Sequence, residues 1–339
     1  MLRVLPTTEL ADGWVKNLRL ACLLAARKHF LPAVLAVILC LCDQALAADL
    51  AIKEVQLPAL RIHGQPARAH TQGMEVVGGQ VYVTERRDDV RPRRALLLRT
   101  EPTGTNWDVW DITPLDAQGS LTGFDHPGGM QSDGTRLWIP LAESRRNGRS
   151  MICAFRQKDI EAGRLLKPEL EFSFDDHIGA VAVSTERELL LGANWDTQKV
   201  YVWNFKGHLQ RTLTNSELRP RELGMASAEG RNGLAVQDWK FSGDRLFASG
   251  LFRPGGTPAG STESRVICFT NFLEIGFQRL VMTLPLVNGT QLAREAMTIS
   301  EGIVHFLPED LGETNRMFQI LLEDLARQGV AGSSNLGTR

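Results

Sequence analysis

The sequence is poor in cysteine and tyrosine, carries no excess of charge of one sign and lacks the short motifs of several common enzyme classes. Its 339 residues include five cysteines and two tyrosines, with 38 basic against 39 acidic side chains. This balance provides no surface field strong enough to recruit nucleic acid or an anionic membrane. Downstream of residue 47 there is also no G-x-S-x-G elbow, phosphate-binding loop, H-E-x-x-H helix or C-x-x-C pair, so no motif assigns a reaction.

Residues 1–47 have the three parts of a secretory signal peptide. Basic residues between positions 19 and 28 precede an apolar stretch at residues 30–42, and Ala-Leu-Ala at 45–47 is typical of a cleavage site. The apolar stretch is shorter than the roughly 20 residues that span a bilayer as a helix. We therefore predict cleavage after residue 47 and a periplasmic or secreted bacterial protein with no stable membrane span. An uncleaved membrane anchor is the alternative.

The rest of the chain repeats one pattern. "RAHTQGMEVVGGQVYVTE" at residues 68–85 and "FDHPGGMQSDGTRLWIPLAES" at 124–144 share a Gly-Met or Gly-Gly-Met step, a Gly-containing turn and alternating apolar residues. Each predicts two strands joined by a turn. Five copies of the pattern occur at near-constant spacing, with anchors at Met74, Met130, Ala180, Trp239 and Met297.

Two further strands are predicted after each anchor, except that the fifth copy lacks the last one. The segment "IKEVQLPALRIHG" near residue 52 has the composition to supply it. Four-stranded units closed by the first strand of the chain are typical of a β-propeller. We predict an all-β propeller over residues 48–322, with five blades favoured, and a polar tail at 323–339, and "MFQILLEDLARQG" at 317–329 is compatible with a short helix at its end. A six-bladed propeller is the alternative, because residues 251–292 are weakly patterned.

The repeat also constrains single residues. Cys153 and Cys268 fall in third strands of non-adjacent blades, so they are predicted to be free, buried thiols. Gly73, Gly129 and Gly179 fall at equivalent positions, where either close strand approach at the axis or turn geometry explains a glycine. The aromatic residues at one second-strand position are predicted to pack between blades: Tyr82, Trp138 and Phe247, with His305 in the same place.

In a propeller, the loop into each first strand and the loop joining the second and third strands open on one face, around the central channel. We expect a ligand there. His70, His126 and His177 fall at or next to one repeat position and are the candidate catalytic bases, unless each merely orders its own loop. The ligand-binding candidates on this face are Gln72, Glu85, Glu143, Asp176, Asn194, Gln237, Asp238, Arg253 and Glu295.

The acidic candidates could provide oxygen ligands for calcium or another divalent cation. Solvated loop acids are equally expected at these positions, so no cofactor is assigned.

The motifs H-P-G-G at 126–129 and D-D-H-I-G at 175–179 resemble those of an uncharacterised family of exported bacterial β-propellers, over most of residues 60–320. That resemblance implies the fold and no reaction. More distantly, the chain is similar to calcium-dependent lactonase and strictosidine-synthase-type propellers. Those proteins begin the repeat with E-G-P and a metal-binding Glu, whereas Gln72-Gly73-Met74 stands here.

Two functions follow from this pattern as hypotheses. The first is binding of a small molecule or a protein partner at the mouth of the channel, without chemistry. The alternative is hydrolysis of esters, lactones or phosphoesters by a His base, with or without a divalent cation.

Overall fold

The described part of the chain forms five antiparallel sheets in a closed ring. The computed structural model describes residues 50–161, 167–214, 217, 233–253, 262–274 and 278–333. The fold is the predicted five-bladed β-propeller, and the six-bladed alternative is wrong. The predicted signal peptide lies outside the described residues.

The strands follow one another in chain order. Ahead of the blades come β1 (Lys53–Leu57) and a small hairpin of β2 (Arg61–Ile62) and β3 (Gln65–Pro66). Blade 1 consists of β4 (His70–Val77), β5 (Gln80–Arg87), β6 (Arg94–Thr100) and β7 (Asp108–Asp111). Blade 2 consists of the interrupted first strand β8 (His126–Pro127) and β9 (Gln131–Ser132), then β10 (Arg136–Ala142), β11 (Ser150–Arg156), helix α1 (Gln157–Glu161) and β12 (Leu170–Phe174).

Blade 3 consists of β13 (Ile178–Ser184), β14 (Leu189–Asn194), a 3₁₀ turn (Trp195–Thr197), β15 (Lys199–Asn204) and β16 (Leu209–Thr214). Blade 4 consists of β17 (Gly233–Ser242), β18 (Arg245–Arg253), β19 (Glu263–Thr270) and β20 (Gln278–Leu284). A hairpin of β21 (Leu286–Val287) and β22 (Thr290–Gln291) leads to blade 5, with β23 (Ala296–Ser300), β24 (Ile303–Leu307) and β25 (Asn315–Leu321). The last described element is helix α2 (Leu322–Ser333).

Blade 1 shows how the sequence specifies each sheet. Met74 of β4 pairs with Val83 of β5, and both are fully buried. Gly78 and Gly79 form the turn between these strands, with φ of 57° and 76°. A tight hairpin turn of this kind needs positive φ at both central positions, which glycine adopts without a steric penalty.

The core is divided into five apolar clusters, and each lies between two neighbouring blades. Tyr82 packs between blades 1 and 2, Trp138 between blades 2 and 3, and Phe247 between blades 4 and 5, as predicted. His305 is buried at the equivalent place in blade 5. Cys153 and Cys268 are free and buried in two different clusters, which confirms that prediction as well.

Strand β1 completes the last blade by pairing antiparallel with β25, as the missing fourth strand of the fifth repeat predicts. Leu57 at its end is 2% exposed and packs in the cluster between blades 1 and 5. Beyond it, the carbonyl of Pro58 accepts hydrogen bonds from Trp107 Nε1 at 2.8 Å and from Asn315 Nδ2 at 2.5 Å. The start of the described chain is thus attached to both the first and the last blade.

Loss of the Leu57 side chain should open this closure. We expect Leu57→Ala to lower the free energy of unfolding by about 2–5 kcal/mol, the usual cost of truncating a buried leucine. Lys53→Ala, at the exposed start of the same strand, should stay within about 0.5 kcal/mol of wild type. Urea denaturation of both variants measures the difference, and equal stabilities would contradict a closure that depends on β1.

The first strands crowd together around the axis, because each contacts the next all the way round the ring. The amide of Gly129 donates to the Gly179 carbonyl at 3.0 Å, and the amide of Val181 donates to the Gly129 carbonyl at 2.9 Å. A Cβ on Gly73 would lie 2.6 Å from the Gly129 Cα, and one on Gly129 would lie 2.8 Å from the Ala180 Cβ. Close approach therefore explains these two glycines, and turn geometry does not.

Gly179 differs, because a Cβ there would meet its nearest atom only at 4.0 Å.

We expect Gly129→Ala to destabilise the protein severely, since the new methyl overlaps Ala180 and the Asp238 carboxylate. Gly179→Ala should unfold at nearly the wild-type temperature. Differential scanning calorimetry of the two variants tests this contrast, which would fail if both shifted the melting temperature equally.

Helix α2 covers the first part of the predicted polar tail and packs against the outside of the ring. Its Leu325 is fully buried in the cluster between blades 4 and 5. In the part of the chain that the structure describes, no helix has the length and apolar composition required to cross a membrane.

Candidate functional site

The three candidate histidines lie on the predicted face of the propeller. The His126 and His177 rings are 5.1 Å apart between centroids and meet edge to face. Trp195 lies beside both, with its ring centroid 4.5 Å from His177 and 6.2 Å from His126. His70 stands apart from this pair and contacts Asp310 of blade 5.

A cavity of about 180 Å³ opens between His126, His177 and the axis. Its described lining consists of uncharged side chains from blades 1 to 4, namely Gln72, His126, His177, Gly179, Ala180, Ala193, Asn194, Trp195, Ala235, Val236, Gln237 and Trp239.

Bulges in the first strands place side chains in this mouth cavity. The register of β4 with β5 shifts between Thr71 and Gly73, which leaves Gln72 as the extra residue. The same irregularity makes Gly179 the extra residue in β13 and Gln237 the extra residue in β17. A bulged residue has no cross-strand partner, so its side chain can be turned away from the ordinary alternation. This explains how blades 1, 3 and 4 contribute equivalent positions to one cavity.

His126 uses both of its ring nitrogens. Arg86 Nη1 lies 3.2 Å from Nδ1 and 3.5 Å from Nε2, and a guanidinium can donate only to the unprotonated ring nitrogen. Gln72 Oε1, an acceptor 2.8 Å from Nε2, assigns the proton to Nε2 and leaves Nδ1 as the acceptor. Burial, together with the positive charge of Arg86, lowers the pKa of His126 to about 2, so this ring is neutral at physiological pH.

His177 has the opposite tautomer. Its Nδ1 lies 2.9 Å from the Glu143 carbonyl and 3.1 Å from the Arg145 carbonyl, so Nδ1 carries the proton. Burial lowers the pKa of this imidazole as well, which leaves Nε2 with a lone pair. Among the described residues none forms a hydrogen bond to Nε2, so His177 can accept a hydrogen bond from a ligand in the cavity.

Glu85 and Glu295, both proposed as ligand-binding residues, are buried near His70. Glu85 is fully buried, with Oε1 2.8 Å from Thr71 Oγ1, and burial raises its pKa well above the usual range. Burial also raises the pKa of Glu295 to about 7, while the nearby His70 opposes this shift. Glu85 is inaccessible to a ligand, whereas the Glu295 side chain retains 11% exposure.

The remaining candidates do not line the mouth cavity with their charged groups. Glu143 turns toward Arg145 and Arg149, at 2.6 Å and 2.9 Å. Asp176 accepts hydrogen bonds from Tyr201 Oη at 2.7 Å and from Asn194 Nδ2 at 3.0 Å, and so orients Asn194. Arg253 ends β18, outside the described lining.

Asp238 was proposed as a mouth residue but lies deeper, in a polar network inside the channel. Its Oδ1 accepts from Lys240 Nζ at 2.6 Å, with both side chains at most 1% exposed. Glu75 accepts from Thr298 Oγ1 at 2.8 Å and from the Ser132 amide at 3.3 Å. Gln131 bridges blades 3 and 4 by accepting from the amides of Val183 and Phe241. The first strands run inward from the mouth, so this network closes the channel beneath the cavity.

The members of this network other than Asp238 were missed from the sequence, although one signal could have found them. Glu75, Gln131, Lys240 and Thr298 each follow the repeat anchor by one position. Polar residues at one inward-facing position of four repeats predict a hydrogen-bonded channel.

The network makes stability depend on pH. Burial raises the pKa of Glu75 to about 7, compared with 4.5 for an ordinary Glu. Between these two pH values the folded state therefore binds more protons than the unfolded state. The contribution of Glu75 to the free energy of unfolding is complete below about pH 4.5 and is lost as the pH rises through 7. We expect Glu75→Gln to lose less stability than wild type between pH 5 and pH 8. Exposed Glu186→Gln is the control for denaturation at both pH values, and identical pH dependence in all three proteins would contradict this role.

No group of three or more His, Cys, Asp or Glu side chains suited to a metal ion occurs among the described residues. The calcium hypothesis therefore gains no ligand set from this part of the chain.

The closed ring of blades and the polar mouth define a five-bladed β-propeller with a candidate small-molecule site at one end of its channel. The chain belongs to DUF6454, a family of unknown function, whose sequence profile matches residues 35–262. No protein with a curated description matches the sequence. The predicted distant similarity to lactonase and strictosidine-synthase-type propellers is not confirmed.

Several solved structures are similar to this chain at low sequence identity. The chain is similar to a glycosyl hydrolase from Bacteroides ovatus, with a TM-score of 0.43 and 11% identity over 75% of this chain and 84% of that one. A GH43 β-1,3-galactosidase gives a TM-score of 0.44 and 11% identity over 80% of this chain. The match covers 60% of the galactosidase. The WD40 domain of Toxoplasma gondii coronin gives a TM-score of 0.37 and 8% identity over 76% of this chain and 70% of the coronin domain. Similarity at this level concerns the fold and transfers no reaction.

Proposed function

We propose that this protein binds an uncharged, hydroxyl-bearing small molecule of about monosaccharide size in the mouth cavity. The observation that carries the proposal is the charge of the site: the described lining includes no Lys, Arg, Asp or Glu. A charged ligand would lose its hydration there without gaining an ion pair, which is costly. Both histidines are neutral for the reason given above, so they add no charge.

The lining offers hydrogen bonds suited to hydroxyl groups. No described residue hydrogen-bonds to the Gln237 amide, which therefore has one acceptor and two donors to offer. His177 Nε2 adds an acceptor from blade 3. Trp195 adds an aromatic side chain to the lining, and the Arg146 guanidinium lies over its ring at 5.8 Å. Such a set binds a hydroxylated ring by its edge.

The size of the cavity limits the ligand. A volume of about 180 Å³ is below the usual range of drug-sized pockets, roughly 300–1,000 Å³. In a periplasmic or secreted protein, which the leader predicts, such a ligand would come from outside the cytoplasm. A protein partner at the same mouth is the other form of the binding hypothesis.

Charge-matched sugars test the proposal. D-Glucose, D-glucuronate and D-glucosamine have similar sizes and differ in charge, so their binding can be compared by tryptophan fluorescence and calorimetry. We expect at least one neutral hexose among glucose, galactose and mannose to bind tenfold more tightly than its charged counterparts, a difference of about 1.4 kcal/mol.

Variants of two glutamines provide the control. Gln237→Ala should weaken neutral-sugar binding at least tenfold because it removes the amide in the cavity, whereas exposed Gln118→Ala should not change it. Tighter binding of glucuronate or glucosamine, or unchanged binding in Gln237→Ala, would contradict the proposed site.

A further inference from the structure

We propose that His70 and Asp310 form a general-base dyad that hydrolyses an uncharged carboxylic ester in a second cavity, at the seam between blades 1 and 5. This activity does not depend on the ligand proposed for the mouth cavity. The seam cavity has a volume of about 390 Å³, and its lining includes Arg68, His70, Arg86, Asp88 and Asp310.

The dyad has the geometry of an oriented base. His70 Nδ1 lies 2.6 Å from Asp310 Oδ1, and a carboxylate at this distance fixes the proton on Nδ1. The lone pair is therefore on Nε2, and no residue in the described ranges hydrogen-bonds to it. The second carboxylate oxygen of Asp310 is also held, by Arg68 Nη2 at 3.4 Å. A base oriented by a third group is the arrangement that activates a nucleophile in many hydrolases.

The backbone holds the two halves of the dyad in register, although they are 240 residues apart in sequence. Next to His70, the Ala69 amide donates to the Leu311 carbonyl at 3.1 Å. On its other side, Thr71 Oγ1 donates to the Glu309 carbonyl at 2.8 Å. Both neighbours of His70 are thus tied to both neighbours of Asp310, so the dyad is preorganised by the closure of the ring.

Water can reach this histidine. The side chains of His70 and Asp310 are 32% and 27% exposed, whereas His177 is oriented by two backbone carbonyls and His126 uses both ring nitrogens within the protein. Of the three histidines predicted as bases, His70 alone combines an orienting carboxylate with an accessible lone pair.

The charges of the seam cavity favour an uncharged substrate. Asp310 pairs with Arg68 at 3.4 Å, Asp88 with Arg86 at 2.9 Å and Arg93 at 3.1 Å, and Asp89 with Arg87 at 2.6 Å. Each of these guanidinium groups already faces a carboxylate, so a phosphate dianion would have to displace a carboxylate to form an ion pair. A carboxylic ester meets no such penalty, so the geometry favours acyl over phosphoryl chemistry.

The reaction requires only water and the ester. His70 Nε2 removes a proton from water as the water oxygen bonds to the carbonyl carbon, which gives a tetrahedral oxyanion. The carbon–oxygen bond to the alcohol then breaks, and the departing oxygen takes the proton from Nε2. One acid and one alcohol form, and His70 returns to its neutral state without any change in oxidation.

The pH profile identifies the dyad. The hydrogen bond from Asp310 raises the pKa of His70, with a smaller contribution in the same direction from Glu295, while burial and Arg86 oppose it. Since only neutral His70 accepts a proton, the rate should rise with pH through a midpoint above 6.5. In Asp310→Asn the maximal rate should fall and the midpoint should move to lower pH, which loss of structure alone would not produce.

The probe is p-nitrophenyl acetate, and p-nitrophenyl phosphate is the comparison substrate. Both are measured with wild type, His70→Asn and His208→Asn. The last variant is the control, because His208 is exposed and lies outside both cavities. We expect acetate hydrolysis above the buffer rate, a loss of at least 100-fold in kcat/KM for His70→Asn, and no change for His208→Asn. His70→Gln replaces the Asn variant should its melting temperature fall.

An acetate rate equal to buffer, an unchanged rate in His70→Asn, or faster hydrolysis of the phosphate would overturn the dyad. Sugar binding is measured separately on the same wild-type protein. Failure of one proposal is therefore distinguishable from failure of the other.

Discussion

The structure depends on how closely five first strands approach one axis. The amide and the carbonyl of Gly129 both form hydrogen bonds to blade 3. A Cβ at Gly129 or at Gly73 would overlap neighbouring atoms. The side chains that do face the axis must satisfy one another, because water is excluded and an unpaired buried polar group is costly. Lys240 and Glu75 meet this requirement within a network that spans blades. The described network therefore occupies the channel beneath the mouth cavity.

Ring closure creates two different environments on the same face. The mouth cavity is lined by bulged residues such as Gln72 and Gln237 and carries no formal charge in its described part. The seam between the first and last blades carries paired charges around His70 and Asp310. Arg86 lies between these environments, with one nitrogen toward His126 and another toward Asp88. The histidines consequently differ in tautomer and in pKa, although they come from equivalent repeats.

Much of the fold and part of the site could be predicted from the sequence. The anchor spacing and the unpaired first strand gave five blades closed by β1, because hairpin strands are specified locally by alternation and turn residues. The site was harder. Asp238 and Glu85 fall at repeat positions that were predicted to face the mouth, yet both side chains are fully buried. A bulge changes which side chains of a strand face the channel, and no local sequence pattern marks a bulge.

The sequence by itself determined the repeat, the four-stranded blades, the two separate thiols and the set of polar residues near one face. Tertiary structure alone decided which of these residues meet. His70 and Asp310 are 240 positions apart and become partners only because the last blade returns to the first. The tautomers of His126 and His177 depend on Arg86 and on two backbone carbonyls. Hydrogen-bond partners and burial arise from packing between blades, and they set the charge of each group.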